Sequence, residues 1–210
     1  MFKYPRTYHL PWSPGVTKDD KMLKSTEHFI GKRVVVTEKL DGECTTIRRG
    51  RIHARSMDSK DHISRHWVKN QYGYLTNVLD STIRICGENV FAEHSIAYEN
   101  LISFFYAFSV WNFSTCLSWD NTVEELKFLN ITHVPIIYDG IWDEDLIRSI
   151  PLNKTEKGEM EGYVVRMACS FDIIDFDYNI AKYVRAGHVQ TDEHWLHKPV
   201  VKNKLKESIL

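Results

Sequence analysis

The hydrophobic and polar positions change period several times along the chain. Arg33 to Glu38 carries a β-branched run, Val34-Val35-Val36-Thr37, the pattern of a buried strand. Asp41-Gly42 follows as a turn signal, and Cys44 to Arg48 and Arg51 to Arg55 read as short strands divided by Arg49-Gly50. This stretch predicts an antiparallel meander. From Ser64 to Asp80 the period becomes helical: Trp67, Val68, Tyr72, Leu75, Val78 and Leu79 recur at three-to-four spacing and predict one amphipathic helix. Thr82 to Glu88, Phe91 to Tyr98 and Phe104 to Trp111 return to strand character. Asn121 to Asn130 predicts a helix with Asn121 as N-cap, and Asp143 to Ile150 a shorter one capped by Asp143. Thr132 to Ile137, Gly162 to Met167 and Ile180 to Arg185 complete the strands. Pro5, Pro11, Pro14 and Gly15 leave 1–32 loop-rich, and 186–210 reads as a C-terminal tail. The sum is an α+β fold with a dominant antiparallel sheet flanked by helices. No composition shift marks a second domain, so 1–210 reads as one.

Composition sets the outer bounds. Hydrophobic residues at 43% and charged residues at 26% are ordinary globular usage, which excludes a disordered chain, a collagen-like repeat and a coiled coil. No run approaches the roughly 18 apolar residues of a membrane span, and Met1 to Leu10 lacks the apolar core of a secretory signal. The expectation is an intracellular, cytoplasmic protein without a membrane partner. Its four cysteines, too far apart for a thiolate knuckle, are expected to be reduced and buried. His194 and His197 share a helical spacing, but no further ligand is spaced with them to make a zinc site. The net charge of -1 excludes a fold-wide basic field. A polyanion would be held by local clusters, either Arg48, Arg49, Arg51 and Arg55 or the tail's Lys198, Lys202, Lys204 and Lys206; each also fits a solvated surface.

The most informative segment is Glu38-Lys39-Leu40-Asp41-Gly42. A lysine that closes a hydrophobic strand and enters a tight turn presents its ammonium in a cleft. It becomes a nucleophile only once deprotonated, which desolvation or a nearby cation favours. Four letters alone carry little, because Asp-Gly is usually just a hairpin turn. Other segments follow in order: Arg55-Ser56 at a strand end, Gly87-Glu88 at another, Tyr106-Ala107-Phe108 with two rings on one strand face, Glu161-Gly162-Tyr163-Val164-Val165-Arg166, and Lys182-Tyr183-Val184-Arg185. Each has a bland reading as turn, core or exposed face. The ordered set is far less easily explained that way.

The set resembles the covalent nucleotidyltransferase superfamily of ATP-dependent RNA and DNA ligases and mRNA-capping guanylyltransferases. Lys39-Leu40-Asp41-Gly42 looks like motif I, Gly87-Glu88 like motif III, Phe108 like the motif IIIa aromatic, Glu161-Gly162 like motif IV, and Lys182 to Arg185 like motif V. The likeness spans residues 33 to 185. His53-Ala54-Arg55-Ser56, Phe105-Tyr106-Ala107-Phe108 and the Glu-Gly-Tyr-Val-Val-Arg form of motif IV make it most similar to the RNA ligases.

The resemblance implies an antiparallel-sheet adenylyltransferase domain that seals RNA 5'-phosphate and 3'-OH ends, a ligase of the RNA-repair kind. It implies that Lys39 takes AMP from ATP as lysyl-AMP, with Mg2+ or Mn2+ as cofactor and Glu161 as the carboxylate near the metal. Glu88 would bind the ribose hydroxyls, Phe108 would stack on adenine, and Arg55 would contact ribose or phosphate. Glu38 would reach the base edge, and Asp41, beside Gly42, would orient Lys39. Lys182 would contact the α-phosphate and lower the pKa of Lys39 by like charge. A DNA ligase, a capping guanylyltransferase and a non-catalytic nucleic-acid-binding relative are the alternatives.

Three departures from the pattern matter. Val184 stands where many relatives carry a second motif V lysine, and alternation sends Arg185 to the other strand face. Ser109 replaces the aspartate that often follows the motif IIIa aromatic. Cys44 stands where DNA ligases tend to carry arginine. The stretches outside 33–185 are too short for an OB-fold, so the expectation is a monomeric catalytic domain acting on nicked duplex RNA. Gly187 to Trp195 and the lysine tail are then the expected RNA backbone contacts.

Overall fold

The structure, a computed structural model, describes residues 2–152, 154–155, 158–187 and 199–207. Its elements run β1 (Tyr8–His9), a 3-10 turn (Glu27–Phe29), β2 (Arg33–Lys39), β3 (Glu43–Arg48), β4 (Arg51–Ala54), a 3-10 turn (Ile63–Arg65), α1 (His66–Tyr72), α2 (Leu75–Val78), β5 (Ile83–Asn89) and β6 (Phe105–Asn112). There follow β7 (Thr115–Cys116), α3 (Trp119–Phe128), β8 (Ile136–Ile141), α4 (Glu144–Arg148), β9 (Lys154–Thr155), β10 (Gly158–Glu159), β11 (Gly162–Met167), β12 (Phe171–Asp172), a 3-10 turn (Ile173–Asp175), α5 (Phe176–Asn179) and β13 (Ile180–Val184). A five-stranded sheet has the order β1-β13-β11-β2-β8, and a six-stranded sheet the order β12-β7-β6-β5-β3-β4. Within them only β1 and β13 pair in parallel. The architecture is α+β with antiparallel sheets, as the pattern predicts.

β2 is apolar without alternation because both of its faces are covered. Val35 packs with Leu40, Tyr98 and Trp119, while Val34 and Val36 pack with Leu10, Phe29 and Trp142. The expected meander is corrected by the sheet assignment. β3 and β4 form a hairpin closed at Gly50, whose φ of 78° suits glycine, but β2 belongs to the other sheet. The Leu40–Gly42 turn therefore crosses between sheets.

Four further expectations shift. The single helix over Ser64–Asp80 is two short helices broken at Gly73, and Val78 points outward, 67% exposed. Phe91 to Tyr98 is an irregular segment, not a strand. The helix expected from Asn121 starts at Trp119, because Ser118 is the cap and its hydroxyl accepts from Asn121 N at 3.2 Å. The strand expected over Thr132–Ile137 is displaced to β8, beyond Pro135, which has no amide hydrogen to donate. All four cysteines are free; Cys86 and Cys116 are buried, Cys44 is half-buried, and Cys169 is exposed rather than buried as expected. Among the described residues no helix is long and apolar enough to cross a membrane.

Candidate active site

The last residue of β2 is Lys39, paired in register with Gly162 at the start of β11. Glu161 precedes that glycine, and the Lys39 Nζ lies 2.6 Å from Glu161 Oε2. Gly162 is required by close approach: a Cβ there would stand 1.9 Å from the Tyr183 carbonyl oxygen. Arg185 N donates to the Glu161 carbonyl at 3.0 Å, which ties the carboxylate's backbone to the end of β13. Burial pulls the Lys39 ammonium down, but neighbouring acids, the Glu161 carboxylate foremost, outweigh it, and the net shift is upward. Lys182 and Lys39 oppose each other by like charge, as the resemblance implies, but the acids beside Lys39 outweigh that and hold it here as a charged ammonium.

The turn after Lys39 is locked from below. Asp41 N donates to Tyr98 Oη at 2.8 Å, and the Asp41 carboxylate accepts from Ser95 N at 2.7 Å and Ile96 N at 3.0 Å. Asp41 therefore fixes the turn by holding the 91–98 segment. The segment is held in turn by Asn203, which accepts from Tyr98 N and donates to the Val90 carbonyl, both at 2.8 Å. Gly42 passes so close to β5 that a Cβ would meet Asn89 O at 2.5 Å.

The six-stranded sheet supplies the opposite wall. Glu88 pairs with Cys44 across β5 and β3. Burial, reinforced by Glu161 and Asp41 against the opposing Lys39, pushes the Glu88 carboxyl up to about 8, so it is largely protonated at neutral pH. On β6, Ala107 pairs with Gly87 and Ser109 with Cys86, so Phe108 is the extra residue of a bulge. Its ring lines the cavity.

A third wall comes from the N-terminal segment. The Tyr4 ring meets Phe108 edge-on at 5.0 Å, and the Tyr4 carbonyl accepts from Arg55 Nε at 3.0 Å. Behind it, Lys182 on β13 has its Nζ 3.4 Å from Asp20 Oδ1.

These walls enclose a cavity of about 270 Å3. Of the sequence-predicted site residues, Glu38, Lys39, Gly42, Arg55, Glu88, Phe108 and Lys182 line it. Glu161, 3% exposed, stands behind Lys39, and Asp41 lies beneath the turn. The sequence reading missed Tyr4, Pro5, Arg6 and Thr7, whose loop composition carries no signal, and Arg166, which it quoted without a role. Arg166 is 3% exposed and held by backbone carbonyls, including Leu117 O at 2.8 Å.

The donor set suits a hard divalent cation that keeps much of its water. Glu161 offers buried carboxylate oxygens, while no group of three or more His, Cys, Asp or Glu among the described residues forms a closed cage. In the tail, Lys204 is paired with Glu99 at 2.8 Å, and Lys202 lies over the Phe91 and Phe104 rings. His188 to Trp195, His197 and Lys198 lie outside the described residues.

A family model described as RNA ligase matches residues 32–184. No curated protein sequence matches the chain. Among solved structures, the fold is similar to an RNA ligase from Naegleria gruberi. A variant of that ligase with ATP and Mn gives a TM-score of 0.60 at 17% identity, covering 88% of this chain and 60% of that one. An apo variant gives 0.59 at 18%, covering 88% and 57%. The ligase with pyrophosphate gives 0.56 at 18%, covering 88% and 58%. The chain thus spans less than two thirds of the length of each.

Proposed function

The chain belongs to the RNA ligase family, and on that premise we propose that it is an ATP-dependent RNA ligase. It seals 5'-phosphate and 3'-OH ends through a lysyl-AMP intermediate and an adenylylated RNA, at nicks in duplex RNA. The observation that carries this reading is the Lys39–Glu161 ion pair at 2.6 Å, beside a cavity that Glu88, Phe108 and Lys182 also line.

In the first step the Lys39 amine attacks the α-phosphorus of ATP. A P–N bond forms, the bond to the bridging α–β oxygen breaks, and pyrophosphate leaves. Lys39 must first shed a proton, and the Glu161 carboxylate at 2.6 Å is placed to receive it. Lys182, from the neighbouring strand, neutralises charge on the phosphates, and Arg55 contacts ribose or phosphate. Phe108 stacks on the adenine, and Glu38 faces the base edge. Glu88, largely protonated, can donate to a ribose oxygen as well as accept from its hydroxyl. A divalent cation, Mg2+ or Mn2+, would be held by Glu161 and would supply charge neutralisation at the α-phosphate under attack. AMP then passes to the RNA 5'-phosphate, and the 3'-OH displaces it.

The test is sealing of a nicked duplex, with RNA or DNA on either side of the nick, with ATP or GTP. RNA joining with ATP, together with label from the α-phosphate on the protein, is expected. Labelling by GTP alone, or labelling without any joining of RNA, contradicts the reading.

A further inference from the structure

Lys182 is met by an acid that belongs to neither sheet. Asp20 sits in a loop between the exposed Asp19 and Lys21, yet its own side chain is only 17% exposed. Its Oδ1 lies 3.4 Å from Lys182 Nζ. Its Oδ2 accepts from Thr17 N at 3.2 Å and Thr17 Oγ1 at 2.8 Å, and stands 3.4 Å from His9 Nε2.

His9 is 1% exposed and directly opposite Lys182 in the parallel β1–β13 pairing. Its Nδ1 lies 2.8 Å from Ser13 Oγ, which in turn accepts from Val184 N at 2.9 Å. The backbone repeats the tie: His9 N donates to Lys21 O at 2.7 Å, and Leu10 N to Lys182 O at 2.7 Å. The carboxylate is thus fixed on several sides before it meets the lysine.

Two ammonium groups share the pocket, and each has its own acid: Lys39 has Glu161 and Lys182 has Asp20. Without Asp20 the half-buried Lys182 loses the acid that offsets its burial and sheds its proton more readily, which removes positive charge from the phosphate side. We propose that Asp20 is a positioning residue for Lys182, holding its ammonium at the cavity wall apart from the Lys39–Glu161 pair. This rests on the ATP-dependent reading of the site given above. The same geometry agrees with the directions of titration: burial lowers Lys182 and Asp20 opposes that fall, while Asp20 is held at about 2 against its own burial by Thr17 and Lys182.

Four proteins test it: wild type, Asp20→Asn, Lys182→Met and the double variant, with melting curves to establish that each is folded. Asp20→Asn should lower kcat/KM for labelling by ATP about 10- to 100-fold, the range seen when a supporting carboxylate is removed. Adding it to Lys182→Met should cost less than about twofold, because its effect runs through that lysine. Asp20→Glu should recover part of the loss. Independently of any activity, competitive acetylation at fixed pH should modify Lys182 several-fold faster in Asp20→Asn, since more of the amine is then uncharged. Wild-type labelling in Asp20→Asn, a loss that multiplies fully onto Lys182→Met, or unchanged acetylation would each overturn the proposal. If wild type takes no label, the ATP reading fails, and acetylation alone decides the role of Asp20.

Discussion

The two sheets bring opposite chemistry to the same cavity. The five-stranded sheet presents two lysines, each met by an acid from outside its strands: Lys39 by Glu161, and Lys182 by Asp20. The six-stranded sheet presents an aromatic ring on a bulge and a carboxyl that is largely neutral at pH 7. On the proposed reading the first wall does the phosphoryl chemistry and the second recognises the nucleoside. Substitutions on the first wall should strike kcat, and those on the second should strike KM for ATP.

The largest expected effect is on the charged wall. Lys39→Ala should lose labelling by ATP more than about a thousandfold, yet still seal a strand already carrying AMP, which a gel assay of pre-adenylylated RNA reads. Normal labelling in that variant would remove the asymmetry altogether. Next, Glu161→Gln should lower the labelling rate by about 100- to 1000-fold. It should also move the rising limb of the pH–rate profile to lower pH: Glu161 raises the Lys39 pKa, so without it the amine is released sooner. An unshifted limb would deny Glu161 that role.

On the other wall, Phe108→Ala should raise KM for ATP about 5- to 150-fold, from a stacking loss of about 1–3 kcal/mol, with kcat little changed. A fall in kcat at constant KM would blur the division between the sheets. The smallest effect concerns stability. Glu88 is raised to about 8, so the folded state binds its proton over a pH range in which the unfolded chain has released it. Stability should therefore fall as pH rises from about 4.5 towards 8. Glu88→Gln should flatten that slope by roughly 1–3 kcal/mol in denaturant titrations.

How much of this could be read from the residues follows the same division. Lys39, Glu161, Glu88, Phe108 and Lys182 are legible because they sit on or beside strands whose β-branched or aromatic runs stand out, in an order along the chain that bland readings do not explain. The pairing of sheets is not. Asp41-Gly42 looks like a hairpin turn, and only long-range packing reveals that it leads from one sheet to the other. Phe91 to Tyr98 looks like a strand for a related reason. Its amides are satisfied by Asp41 and by Asn203, a partner more than a hundred residues away that leaves no local pattern. The N-terminal wall was hidden for want of periodicity. Tyr4, His9 and Asp20 lie in a proline-broken segment and reach the pocket through contacts with Phe108 and β13.

The most direct measurement is peptide mapping of the full chain after incubation with ATP and Mg2+ or Mn2+. The account predicts one AMP on the peptide that contains Lys39, discharged when pyrophosphate is added back. AMP found on Lys182 or elsewhere, or no covalent AMP at all, would contradict it.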